Sequence, residues 1–133
     1  MASRLSPDWL ECFAFIRQQS LQGRALVVPR VSFPPLVYYT PLVMVSSGHG
    51  SKAMTFDRLT IRQRLTDPGA IGGLVRELGV RYVLVDRTAA PPALRVDESE
   101  WQGHGLRPLF TAGTVLLLEG PGAADLPSAE MPP

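Results

Sequence analysis

"ELGVRYVLVDR", Glu77 to Arg87, changes its hydrophobic period in mid-phrase. Its opening residues close a segment in which Ile71, Leu74, Val75 and Leu78 recur at helical spacing, and Gly79 supplies the residue that most easily turns a helix off. From there Val80 and Tyr82 to Val85 leave only Arg81 polar before the Asp86-Arg87 tip, the pattern of a strand buried on both faces. A helix delivered through a tight turn to a doubly buried strand is the signature of an α/β sheet.

The same grammar recurs elsewhere. In "DPGAIGGLVRELG", Asp67 is an N-cap and Pro68 a first-turn residue; Gly72 and Gly73 each cost roughly 1 kcal/mol relative to Ala, which makes sense where a helix lies close against a sheet. "SPDWLECFAFIRQQSLQG" opens on Ser6, Pro7 and Asp8 and closes at Gly23. Trp9, Cys12, Phe13, Ile16 and Ser20 share one side of that helix, Glu11, Gln18 and Gln22 the other, with Phe15 near the polar side. That arrangement reads as a wide buried face, or as one that also meets a partner.

"RALVVP", Arg24 to Pro29, is a second buried strand. The uncharged run from Val31 to Ser51 is interrupted by Pro34, Pro35 and Pro41, so it reads as extended chain with a strand at Leu42 to Val45, not as a membrane span. Thr55 to Leu65 suits a short helix or an irregular crossover, and "RVDESEWQGHG" one helical turn around Trp101. "LRPLF" and "TVLLLEG" flank Ala112-Gly113 as a bulged hairpin, with Gly113 at positive φ and Pro108 on an edge or at a strand start. The order predicts a single α/β domain over residues 1–120: a small, mostly parallel sheet flanked by helices, with a C-terminal antiparallel β-hairpin. Residues 121–133, "PGAADLPSAEMPP", read as a disordered Pro-rich tail.

Composition narrows the function. Thirteen basic against twelve acidic residues give a net charge of +1, and the arginines are scattered, so no nucleic-acid footprint is present. Cys12 is the single cysteine, which excludes an intrachain disulfide and a cysteine-based metal site; among Phe13, Phe15 and Ile16 it reads as a buried thiol. The start "MASRLSPDWLECF" reaches Asp8 and Glu11 before any apolar run of signal-peptide length.

Two places have the chemistry of a ligand site. The loop Gly48, His49, Gly50, Ser51, Lys52 follows an apolar strand and offers amides and a cation to an anion, but Lys52 is followed by Ala53, so it is not a P-loop, and no dinucleotide fingerprint is present. Asp86 and Arg87 stand at the carboxyl end of a strand, where ligands of open α/β sheets bind; the plainer reading is an Asp that bonds its own downstream turn with Thr88. His49 and His104 both lie in Gly-His-Gly but lack the spacing and further ligands of a metal site, and Asp97 to Glu100 reads as a solvated turn. No catalytic residue, metal or cofactor is assigned; a free-standing enzyme is the weakest reading because no nucleophile–base pair is legible.

The layout as a whole, "LQGRALVVP", "YYTPLVMV", "IGGLVRELGVRYVLVDR" and "LRPLFTAGTVLLLEG", resembles the soluble C-terminal region of GT-C-type polytopic membrane glycosyltransferases and related bacterial membrane proteins over most of Trp9 to Glu119. The resemblance implies a non-catalytic accessory domain of, or detached from, such a membrane protein, at the extracytoplasmic face where it is part of one. Its partners would be a membrane-embedded glycosyltransferase-like part and a glycan or polyprenyl-linked sugar. The catalytic acid of that class lies between membrane helices, so none is carried over. The alternative is a small-molecule or nucleotide/phosphate-binding α/β module built on Gly48 to Lys52 and Asp86-Arg87.

Overall fold

The computed structural model describes residues 6–29, 34–44 and 63–120. The Gly48 to Lys52 loop, most of Thr55 to Leu65 and the 121–133 tail lie outside them.

Helix α1, Pro7–Gln18, starts where expected: the Ser6 hydroxyl accepts from the Trp9 N–H at 3.3 Å, with Pro7 at the first position. Its stop is not Gly23. Ser20 takes the left-handed conformation at φ 54, and the N–H groups of Ser20 and Leu21 bond the carbonyls of Arg17 and Ile16, each at 3.1 Å. This is a Schellman motif with serine in the glycine position. Gly23 instead begins strand β1, Gly23–Val28.

The proline-broken passage is not extended throughout. Pro34–Tyr39 forms a short helix, α2, because prolines in the first turn give up only N–H groups that have no helical partner there. Strand β2, Leu42–Met44, follows. Helix α3, Pro68–Leu78, is capped by Asp67, which accepts the Ala70 N–H, and stopped by Gly79 at φ 68. Strand β3 is Tyr82–Asp86, every residue buried. A 3-10 turn, Pro92–Leu94, and helix α4, Glu98–Gly103, lead to β4, Arg107–Ala112, and β5, Val115–Glu119. Gly113 has φ 58 at the hairpin turn, and the β4–β5 register shifts between Pro108 and Phe110, as the bulge expectation required.

The five strands form one sheet in the order β2-β1-β3-β5-β4. The domain is α/β with an antiparallel C-terminal hairpin, but the expectation of a mostly parallel sheet is wrong. The parallel ladders β1–β2 and β1–β3 carry three and four registered pairs, whereas the antiparallel ladders β3–β5 and β4–β5 carry five each. The reason lies in burial along the hairpin. Val115 to Leu118 are all buried, so β5 takes the inner place beside β3 and its direction reverses; β4, half exposed, takes the edge.

Alternation along the inner strands splits the core into two layers. Leu26, Val28, Val83, Val85, Leu116 and Leu118 meet α3 and Trp101 of α4 on one face. Ala25, Val27, Tyr82, Leu84, Val115 and Leu117 meet Trp9, Cys12, Phe13 and Ile16 of α1 and Leu36 of α2 on the other. Phe15, off the expected stripe, stacks on Phe110 of β4 at 4.3 Å, so its apolar surface is used within the chain. Gly72 is a close approach, but to the His104 carbonyl and not to the sheet: a Cβ there would lie 3.1 Å from that oxygen. Around Gly73 the space is open.

Candidate functional site: the carboxyl edge of the central strands

The strand order reverses between β1 and β3. From β1 the chain steps to β2 on one side and returns to β3 on the other, which makes the carboxyl ends of β1 and β3 the topological switch point of the sheet. Asp86 is the last residue of β3 and stands there, only 4 % exposed.

Its carboxylate is engaged from two directions. Oδ1 accepts the Thr88 N–H at 3.1 Å and the Thr88 hydroxyl at 2.6 Å, forming the Asx-type turn that the sequence suggests. Oδ2 accepts the Trp9 indole N–H of α1 at 3.4 Å. The Asp86 carbonyl accepts from Ala89 and Ala90. A buried carboxylate with this many donors is held in place and satisfied.

Arg87 turns the other way. Its backbone N–H donates to the Thr114 carbonyl at 2.9 Å and its Nη2 to the Gly113 carbonyl at 2.8 Å, so it ties β3 to the hairpin turn. Asp8 closes the same corner from α1: its Oδ2 accepts both the backbone N–H and the hydroxyl of Thr114 at 2.9 Å. Those bonds, the backbone one foremost, hold the Asp8 carboxyl below its ordinary range. A Cβ on Gly113 would run into that carboxylate, which gives the turn a second reason for glycine besides its positive φ.

Asp86 and Arg87 are thus neighbours in a corner where the first turn of α1, the end of β3 and the β4–β5 turn are bonded together. In open α/β sheets this is where a ligand crevice opens; here Trp9 and Asp8 of α1 reach into it. Gly48, His49, Gly50 and Lys52 lie outside the described residues. His104 ends α4, exposed, with Nε2 3.9 Å from Glu100 Oε2, and among the described residues no three His, Cys, Asp or Glu side chains gather as a metal site would require. Cys12 is fully buried, and burial pushes its thiol up to about 12, which removes it as a nucleophile near neutral pH. Asp97 to Glu100 are exposed; Asp97 caps α4 by accepting the Glu100 N–H.

Asp8 and Thr114 are the members of the corner that sequence reasoning missed. Asp8 is legible only as a first-turn charge, and a partner 106 residues away leaves no local signal. Elsewhere, a shallow cleft lined by Gln102, Gly105, Leu106 and Arg107 lies near the amino end of β3, away from Asp86, and Arg107 there pairs with Glu119. What the surface does present is aromatic: on α2, Tyr38 is 82 % exposed and Tyr39 half exposed beside Val37, while the inner face of the Tyr39 ring stacks on Phe13 at 5.5 Å. No helix among the described residues is long and apolar enough to cross a membrane.

No family model matches the chain, and neither the curated proteins nor the solved structures contain a match to it.

Proposed function

We propose that this chain is a non-catalytic accessory domain of a membrane glycosyltransferase-like protein, acting at the extracytoplasmic face through protein or glycan contacts. The observation that carries the contact role is the tyrosine pair of α2. A short helix anchored by the Tyr39–Phe13 stack holds Tyr38 almost wholly in solvent, beside Val37 and Tyr39. Rigid aromatic side chains with a polar tip supply contact area at low entropic cost, and they suit a protein rim or the apolar face of a sugar ring. The commitment of Asp86, Arg87 and Asp8 to internal bonds favours contact over chemistry. The membrane attachment rests on the resemblance alone.

A photoreactive phenylalanine analogue placed at position 38, in the chain expressed in its host, tests the reading. Irradiation should give an adduct in the membrane pellet whose partner is a polytopic glycosyltransferase-like protein or its glycan, with no such adduct from position 102. Adducts only with soluble proteins, or equal adducts from both positions, would overturn it.

A second reading, the phosphate-binding module, has one observation in its favour: Asp86 and Arg87 stand at the switch point of the sheet. It requires inorganic phosphate or nucleotides to raise the melting temperature, and Lys52→Ala or Arg87→Ala to abolish the rise. A flat ligand titration removes it.

A further inference from the structure

The turn between β4 and β5 offers two donors to one carboxylate. Thr114 gives its backbone N–H and its hydroxyl to Asp8 Oδ2, each at 2.9 Å. The backbone bond foremost, and the hydroxyl bond with it, hold that carboxyl below its ordinary value, so the donor pair selects the ionised form. Gly113 completes a cradle: a Cβ there would stand in the carboxylate's place. The receiving half is fixed without Asp8, because the Arg87 N–H bonds the Thr114 carbonyl, Arg87 Nη2 bonds the Gly113 carbonyl, and Ala112 pairs with Val115 across the turn. The occupying half is held less firmly. Asp8 is only partly buried and stands in the first turn of α1, where helices fray.

We propose that the Gly113-Thr114 turn is a binding site for a carboxylate of another molecule, and that Asp8 fills it in cis as a latch which that carboxylate displaces. Asp8 itself shows what the turn accepts, since its carboxylate is the group the turn already holds. Position gives the latch its consequence. Trp9, the next residue, bonds Asp86 at the carboxyl end of β3, so the first turn of α1 lies over the switch point of the sheet, where ligands of such sheets bind. Because Asp8 is tethered, it competes at a high effective concentration, and an external carboxylate gains the site only by outmatching it. The latch rests on neither the accessory reading nor the phosphate reading, as it uses no group of α2 and no residue of the Gly48 to Lys52 loop.

Titration of the isotope-labelled chain with sodium acetate, against sodium chloride at equal ionic strength, is the test, read at the Thr114 amide signal by NMR. Asp8→Ala should bind acetate saturably and regain melting temperature as it binds, and wild type should need at least about tenfold more acetate for the same shift. Asp8→Asn keeps an acceptor in the cradle, which guards against a variant that fails to fold, and should fall between the two. Thr114→Val in the Asp8→Ala background should weaken acetate binding at least about fivefold, since one of the two donors is gone. N-acetylaspartate amide binding more tightly than acetate assigns the site to an acidic side chain of a partner; acetate binding as tightly assigns it to a free small acid. No saturable acetate shift in either Asp8 variant, a response that chloride reproduces, or equal acetate affinity in wild type and Asp8→Ala overturns the proposal.

Discussion

The Asp86 carboxylate joins α1 to β3 through Trp9 and shapes the following turn through Thr88. Asp86→Ala would leave the Trp9 N–H and the Thr88 N–H short of their acceptor in a buried corner, at a cost of about 2–3 kcal/mol. Urea unfolding measures it, and an unchanged midpoint would mean that these donors find other partners. Asp8 makes a prediction about pH. Its folded-state carboxyl titrates below the ordinary value of 3.8, so the unfolded chain takes up the proton first as pH falls. The stabilisation is therefore complete well above pH 4 and fades as pH drops through the folded value. Asp8→Asn should lower stability at neutral pH and flatten the acid limb of the stability curve; an acid limb as steep as that of wild type would sink the assignment. Of this corner the Asp86–Thr88 turn and the positive-φ Gly113 are legible in sequence, because both are local. Trp9, Asp8 and Thr114 arrive from opposite ends of the chain, and nothing in their neighbours announces the meeting.

Helix starts were the most readable features, and helix stops were readable where glycine made them. Ser6, Pro7, Asp67, Pro68 and Gly79 stand in the roles their chemistry suggests. Ser20 does not advertise itself, because a serine at positive φ is the exception that tertiary packing imposes. Ser20→Gly should thus stabilise the domain by about 0.5–1 kcal/mol, by relieving the left-handed strain. Gly73→Ala should add a similar amount, roughly the difference in helix propensity, since nothing lies near its missing Cβ. Gly72→Ala should bring no such gain, because the His104 carbonyl stands in the way. Thermal melts of the three variants separate these effects, and a destabilised Gly73→Ala would contradict the open space at that position. α2 escaped the sequence reading for a related reason: two prolines look like a break, yet they are harmless where a helix begins.

The two faces of the sheet each carry one tryptophan, Trp9 in the α1 layer and Trp101 in the α3–α4 layer. Both layers grow from the same three inner strands, so neither can melt alone. Single-tryptophan variants Trp9→Phe and Trp101→Phe should each unfold in one transition, with the same midpoint whether followed by fluorescence or by circular dichroism. Fluorescence and circular dichroism midpoints that separate within a variant would show that the layers unfold separately. Local chemistry was enough to mark the capped helices α1 and α3, the doubly buried β1 and β3, the bulged hairpin and the α/β class, because period, capping and turn residues act over a few positions. Strand order and direction were settled elsewhere. Which hairpin strand sits beside β3 depends on how much apolar surface each brings to both layers at once, and that competition exists only after the sheet has assembled. The same holds for the strand tip: adjacency in the chain put Asp86 and Arg87 together, but only the packing of α1 across the sheet edge made them a bonded corner.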